Sequence, residues 1–129
     1  YAMVFVEDVS REGIHKAMKQ RRTYGATDNI IADTRCVGSD GENHMMGEEF
    51  RTKGAPEIHI KLIGTAPFER IVIIKDNEEV EIQKPNAQEV DFTWTDPNPT
   101  PGKESYYYVR GEQTNSELVW ASPMWITVE

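Results

Sequence analysis

The rhythm of apolar and polar residues changes at Thr23, and each side of the change predicts a different secondary structure. Tyr1–Val6 is a continuous apolar run, which is typical of a buried strand in a parallel sheet. Ser10 then provides a helix N-cap, and a stripe of apolar residues at helical spacing follows it. The residues of this stripe are Ile14, Ala17 and Met18. The opening segment therefore predicts a strand followed by one helix.

After Thr23 the apolar residues recur with a period of two, and clusters of Gly and Pro separate the alternating runs. The predicted strands are Ile30–Val37, Glu57–Ile63, Arg70–Lys75, Glu79–Gln83, Val90–Trp94, Tyr106–Arg110 and Leu118–Val128. Asp76 and Asn77 suit a hairpin turn, Pro97–Gly102 suits a loop, and Pro123 interrupts the last strand.

Short strands rich in Val, Ile, Tyr and Trp match an antiparallel β-sandwich of the immunoglobulin or fibronectin type III shape. We assign this mainly β fold to residues 29–129. The Cys, Trp, Cys spacing of true immunoglobulin domains is absent, so the likeness is to the general sandwich. Residues 1–28 form a separate unit, because a strand followed by a helix normally belongs to a larger α/β sheet or barrel, and no later segment reads as a parallel partner.

Charge and cysteine content exclude several classes of function. The chain has 129 residues, with 14 Lys and Arg against 22 Asp and Glu, and a formal net charge of −8. This sign disfavours binding to a phosphate backbone, so we expect no nucleic-acid partner. Cys36 is the only cysteine, which excludes an internal disulfide. No apolar run approaches the ~20 residues that span a bilayer, so we predict no membrane span.

The segment Gly38–Glu49 is the one stretch whose residue types suggest a metal. It contains carboxylates and an imidazole within a few positions, but it fits neither an EF-hand loop nor a zinc motif with two histidines. Two readings stay open, a solvated polar loop and a Ca²⁺ or Zn²⁺ contact, and we assign no metal ligand. The histidines are scattered along the chain, so we predict no catalytic residue. They are His15, His44 and His59.

Five aromatic residues near the end of the chain have two readings, packing within the sheet and a platform that stacks on sugar rings or partner proteins. They are Tyr106, Tyr107, Tyr108, Trp120 and Trp125. Alternation places Tyr106 and Tyr108 on one side of their strand and Tyr107 on the other, so at least one side is expected to be core. For the platform reading we take Tyr107 and Trp120 as candidate binding residues.

Ser10–Asn29, a helix that runs into RRTYGAT, resembles the closing segment of a secreted or periplasmic branch of the PHP superfamily (polymerase and histidinol phosphatase metallohydrolases). Later motifs agree with this likeness, and the combination covers nearly the whole chain. These motifs are the Met46–Glu49 turn, the Arg70–Lys75 strand, the Asp96–Gly102 loop, YYYVR from Tyr106 to Arg110, and the Trp120–Trp125 ending.

The resemblance implies that this chain carries no catalytic machinery. The superfamily builds its metal centre from His and Asp ligands upstream of the helix, and none of those motifs is present here. Residues 1–28 would be the last strand and helix of a PHP-like barrel, with Arg22, Tyr24 and Thr27 as candidate binding residues where the chain leaves it. The family reads Tyr-Ala-Thr where this chain has Tyr24-Gly25-Ala26-Thr27, so the chain departs from the family pattern by one extra residue before Thr27.

Together these observations predict a noncatalytic C-terminal β-sandwich that serves a metal-dependent, phosphoesterase-like hydrolase as an accessory domain. The fragment itself needs no cofactor, and a divalent metal belongs to the parent enzyme, which the resemblance places in the periplasm or outside the cell. The expected partners are the upstream barrel of the same chain, an envelope protein or carbohydrate, and a second copy in a homodimer. The alternatives are a carbohydrate- or protein-binding module that uses the Tyr and Trp residues, and a domain stabilised by Ca²⁺ through Asp40, Glu42 and Glu48.

Overall fold

The computed structural model describes all residues from Tyr1 to Glu129 and is mainly β, with one helix. The elements are β1 (Ala2–Val4), α1 (Arg11–Lys19), β2 (Thr23–Ala26), β3 (Ile31–Val37), β4 (Asn43–Met45), β5 (Glu49–Thr52), β6 (Glu57–Lys75), β7 (Glu78–Gln83), β8 (Ala87–Thr95), β9 (Glu104–Gln113), β10 (Leu118–Ala121) and β11 (Met124–Val128). All strands are hydrogen-bonded into one curled sheet, and the pairs are antiparallel except for β5 beside β11.

Strand β6 connects the two parts of the sheet. Its first half pairs with β3 and β8, and its second half pairs with β7 and β9, with irregular register around Phe68. Buried Gln113 supports the bend between the halves, because its side-chain oxygen accepts from the Thr65 amide at 2.9 Å. Ile60 from the first half and Ile73 from the second belong to one core of 20 buried residues. The sheet therefore curls around a single hydrophobic core.

The predicted period-two segments all form strands, but Glu57–Ile63 and Arg70–Lys75 are two parts of the single strand β6 and not separate strands. The short strands β2, β4 and β5 lie outside the predicted set. Ile58, Ile60 and Leu62 are buried, while His59 between them is exposed. Asp76 and Asn77 form the turn between β6 and β7, and their φ values of 49° and 69° are those of a type I′ hairpin. The predicted final strand is divided into β10 and β11 around Pro123, as its lack of an amide donor requires.

The helix begins where the sequence predicts. Ser10 is the N-cap, and its hydroxyl accepts a hydrogen bond from the Gly13 amide at 3.0 Å. Within the predicted apolar stripe, Ala17 is buried beneath the helix, whereas Ile14 and Met18 face solvent. Of the three residues in the stripe, only Ala17 is therefore buried against the rest of the chain.

The prediction of a parallel neighbour for Tyr1–Val6 is wrong, since β1 pairs antiparallel with β2 in the register Met3 to Tyr24. The helix is followed at once by β2, which returns alongside β1 and also pairs with β10. A continuous apolar pattern reports burial and does not encode the direction of the neighbour. Residues 1–28 are thus hydrogen-bonded into the same sheet as the rest, and their origin as a barrel remnant stays a prediction.

Candidate functional site

The outer side of α1 exposes more large apolar surface than a short surface helix needs. Val9 is 87% exposed, Met18 58% and Ile14 39%. At 87% exposure Val9 cannot pack as the hydrophobic staple that a residue before the N-cap often forms. We call these three residues the helix face. Arg11 and His15 flank it, so the surface is an apolar patch with a polar rim, which is typical of a docking surface.

The end of α1 is fixed to the remainder of the chain at Arg21. Its Nε donates to the Gly47 carbonyl at 2.7 Å, and its guanidinium lies 5.1 Å from the centre of the Trp125 ring. Gly47 in turn donates its amide to the Pro123 carbonyl at 2.7 Å. The helix is therefore held in a defined orientation, and the helix face is a fixed feature of the surface.

Arg22, a candidate binding residue, lies in a groove of about 220 Å³ between β1 and α1. Its Nε is buried without a hydrogen-bond partner, and its Nη1 is 3.7 Å from Glu7. Asp8 and Glu12 also line the groove, together with Lys16. Three carboxylates against two cations give this groove no excess of positive charge, so it does not favour an anionic ligand.

Tyr24 and Thr27, the other two candidate binding residues from the resemblance, make hydrogen bonds within the chain. Tyr24 is buried, and its hydroxyl donates to the Ile30 carbonyl at 2.9 Å; burial raises the pKa of this phenol. Thr27 is exposed, and its hydroxyl oxygen accepts from the Leu118 amide at 2.7 Å. Both side chains tie β2 to its surroundings, and neither converges with Arg22 on a common cavity.

The aromatic residues divide between core and surface as the alternation predicts. Tyr107 is 1% exposed, packs 6.3 Å from Trp94 between ring centres, and cannot stack on a ligand in this position. The other four lie on the opposite side of the sheet with Arg110, and we call this set the outer aromatic face. It consists of Tyr106, Tyr108, Arg110, Trp120 and Trp125.

Trp120 is the most accessible ring of the outer aromatic face, with 39% of the residue exposed. It stands between Arg110 on β9 and Gly25 on β2. A Cβ built on Gly25 would lie 3.8 Å from the Trp120 ring, so the indole extends over the glycine. Aromatic rings that cover a cross-strand glycine shield its backbone, which is a structural role for Trp120 alongside any binding role.

The polar loop that suggested a metal is arranged around His44. Its Nε2 is 3.1 Å from Asp40, its Nδ1 is 3.2 Å from Glu48, and its ring stacks on Phe50 with centroids 3.8 Å apart. Because the two carboxylates contact opposite ring nitrogens, they do not converge on one point. No group of three or more His, Cys, Asp or Glu side chains is arranged to hold a metal ion.

A buried polar cluster that the sequence analysis missed lies beneath the proline loop. Asp96 is 3% exposed and accepts from Lys75 at 2.6 Å, from the Tyr107 hydroxyl at 2.6 Å and from the Asn98 amide at 2.9 Å. Burial alone would raise the pKa of Asp96, but these three donors outweigh it and hold the pKa below the ordinary value. For Tyr107, burial and the adjacent carboxylate both raise the pKa.

This cluster ties the end of β6 to the proline loop and to β9. Lys75 also donates to the Asn98 carbonyl at 2.8 Å, so its ammonium has two oxygen acceptors. A signal was present in the sequence, because Lys75 ends an apolar run and Asp96 ends an alternating one. Pairing them required the fold, since 20 residues and the whole of β7 and β8 separate the two positions.

Searches against known proteins give relatives without an assigned function. The chain is 25% identical over 139 aligned positions to a protein of Chlamydia muridarum, and 26% over 140 to one of Chlamydia trachomatis; each alignment covers 95% of this chain and 22% of the relative. A Chlamydia pneumoniae protein is 26% identical over 91% of this chain and 21% of its own length. All three are described as uncharacterized.

The chain thus spans about a fifth of the length of the curated relatives it matches. No protein-family model matches it, and no solved structure matches it. The chain contains no helix that is both long and apolar enough to cross a membrane.

Proposed function

We propose that this chain is a noncatalytic accessory β domain of a larger polypeptide and that it docks on that polypeptide through the helix face. The observation that carries the proposal is the exposure of Ile14 and Met18 on α1 and of Val9 just before it, with the position of the helix fixed by Arg21. Exposure of apolar side chains to water is unfavourable, and covering them with another surface lowers the free energy. We choose the rest of a larger polypeptide as the surface that covers the helix face, because about four fifths of each relative's length lies outside the matched region.

The PHP resemblance supports a metal-dependent hydrolase of the phosphoesterase type as the larger polypeptide, with the divalent metal held there. Under this proposal β1 and α1 belong to the end of its barrel, and Arg22 lies in the groove where the two parts meet. The accessory domain would cover or brace the barrel, and a periplasmic or extracellular location follows from the same likeness.

We also propose that the curled sheet is a sandwich of the immunoglobulin or fibronectin type III kind. Two groups of strands support this, one around the first half of β6 with β3 and β8, and one around its second half with β7 and β9. Both groups contribute residues to the same core, as the inner faces of a sandwich do.

The decisive experiment begins with the gene. The coding sequence before Tyr1 should contain His and Asp motifs that can build a metal centre, and the longer product should hydrolyse phosphoesters with Mn²⁺ or Zn²⁺. The 129-residue chain alone should show no turnover. Metal-dependent turnover by this chain alone, or a gene that encodes nothing before Tyr1, would contradict the proposal.

Docking through the helix face is tested in the longer product. Met18→Ser combined with Ile14→Ser should increase proteolytic cleavage between the two parts, because the apolar contact is lost while the fold is kept. The matched control is Ile82→Ser, which changes an exposed apolar residue on β7, far from α1 in the strand order. Equal cleavage of both variants and the parent protein would show that the helix face makes no contact.

A second candidate function, a carbohydrate- or protein-binding module, is favoured by Trp120. Its exposed indole lies beside Arg110, so a flat apolar ring and a hydrogen-bond donor are adjacent, as sugar recognition requires. Titration with soluble xylan, laminarin and peptidoglycan fragments should then change tryptophan fluorescence in the parent chain. The same titration should leave the fluorescence of Trp120→Ala unchanged, because that variant lacks the stacking ring. Unchanged fluorescence with all three probes would contradict carbohydrate binding.

A further inference from the structure

The edge strands of the sheet carry ionisable side chains, except for β1. Five strands have a hydrogen-bonded neighbour on one side alone, namely β1, β4, β5, β7 and β8. Four of them carry ionisable side chains, such as Glu79 on β7 and Asp91 on β8. Strand β1 carries none, and all of Tyr1–Val6 is apolar. Charges on an edge oppose pairing with another strand, so β1 is the edge that lacks this protection.

The backbone of β1 has hydrogen-bonding groups available on its free side. The Tyr1 carbonyl accepts from the Ala26 amide at 3.0 Å, and the Phe5 amide donates to the Arg22 carbonyl at 2.9 Å. In an antiparallel pair, residues that bond to the neighbour alternate with residues that point away from it. Ala2 and Val4 therefore direct their N–H and C=O groups away from β2, toward the uncovered edge.

We propose that this edge of β1 receives a strand from the larger polypeptide, so that one sheet continues from this domain into the next. The inference rests on the proposed function and adds the mode of contact. The apolar side chains of β1 suit a strand buried between two neighbours, whichever direction the added strand takes. The helix face lies on the same strand–helix unit, so a neighbouring α/β domain would cover both surfaces at once.

Amide hydrogen exchange tests this at single residues. In the 129-residue chain the amides of Ala2 and Val4 should exchange rapidly, because they have no acceptor. In the longer product they should slow by about 100-fold or more, because each donates to the added strand. Met3 is the internal control, since its amide faces β2 in the register with Tyr24 and should be protected in both samples.

A proline variant separates strand addition from loss of folding. Val4→Pro removes an amide that points to the free edge and leaves the bonds between β1 and β2, as proline on an edge strand does. In the longer product it should return the Ala2 amide to rapid exchange while Met3 stays protected. Val4→Thr keeps the amide and should behave as the parent protein.

The outcomes also separate this inference from the proposed function. Slow exchange of Ala2 and Val4 only in the longer product supports strand addition. If these amides stay fast while the α1 amides become more protected, docking through the helix face stands and strand addition is wrong. If neither region changes between the two samples, both the docking and the added strand are wrong. Slow exchange already in the short chain, with a concentration-dependent mass, would identify a second copy as the occupant and overturn the proposal.

Discussion

Arg21 and Gly47 are in direct backbone contact although 26 positions separate them. A Cβ built on Gly47 would lie 2.3 Å from the Arg21 carbonyl oxygen, and the Arg21 side chain donates to the Gly47 carbonyl. This close approach fixes the end of α1 against the turn before β5. It thereby decides the direction in which the helix face points, on which the proposed docking depends.

Gly47→Ala should destabilise the chain more than Gly54→Ala does. Both glycines have positive φ, 92° and 80°, so both variants pay a similar conformational cost of about 1 kcal/mol. Only Gly47 has backbone within contact distance, and its variant must also displace Arg21, for a total of about 3 kcal/mol or more. Urea unfolding measures the difference, and equal midpoints would show that the contact is unimportant.

Asp96→Asn should lower the free energy of unfolding by about 2–4 kcal/mol at pH 7, because Lys75 loses its buried counterion. The control is Asp91→Asn, which affects an exposed pair with His59 and should cost less than about 1 kcal/mol. Chemical denaturation of the two variants beside the parent chain gives both values. A loss no larger than that of the control would mean that the cluster does not brace the proline loop.

The lowered pKa of Asp96 predicts that the free energy of unfolding decreases at acidic pH. The folded pKa of Asp96 is below its unfolded value, so the unfolded chain binds more protons in that range. The stabilisation is complete above the unfolded value of about 3.9 and is lost as pH falls through the lower folded pKa. Unfolding of the parent chain between pH 6 and pH 2 should show this loss. Asp96→Asn should have a shallower slope, and parallel curves for the two proteins would contradict the assignment.

The helix face should contribute little to the stability of the chain alone. Met18→Ser should change the free energy of unfolding by less than about 1 kcal/mol, since Met18 is largely exposed. Ile60→Ala, at 0% exposure in the core, should cost about 2–5 kcal/mol. Thermal unfolding of both variants checks this, and a core-like loss for Met18 would mean that the helix face already has a partner within this chain.

Cys36 should be unreactive while the chain is folded. It is 1% exposed, and burial raises the pKa of its thiol to about 11, so at pH 8 only about one molecule in 1,000 carries the reactive thiolate. Disulfide exchange with an aromatic disulfide reagent should be slow in buffer and fast in 8 M urea, on the order of the rate for an ordinary thiol. Fast reaction in buffer would show that β3 opens readily.

The amino-acid sequence by itself determined the long strands and the start of the helix, but not the short strands β2, β4 and β5. Alternation placed Ile58, Ile60 and Leu62 on the buried face of β6, and Ser10 set the start of α1, because periodicity and capping are properties of neighbouring residues. The tertiary structure alone decided the antiparallel pairing of β1, the meeting of Lys75 with Asp96, and the exposure of Met18. These depend on which distant segments pack together, and a local pattern of apolar residues records that a face is to be buried without recording what covers it.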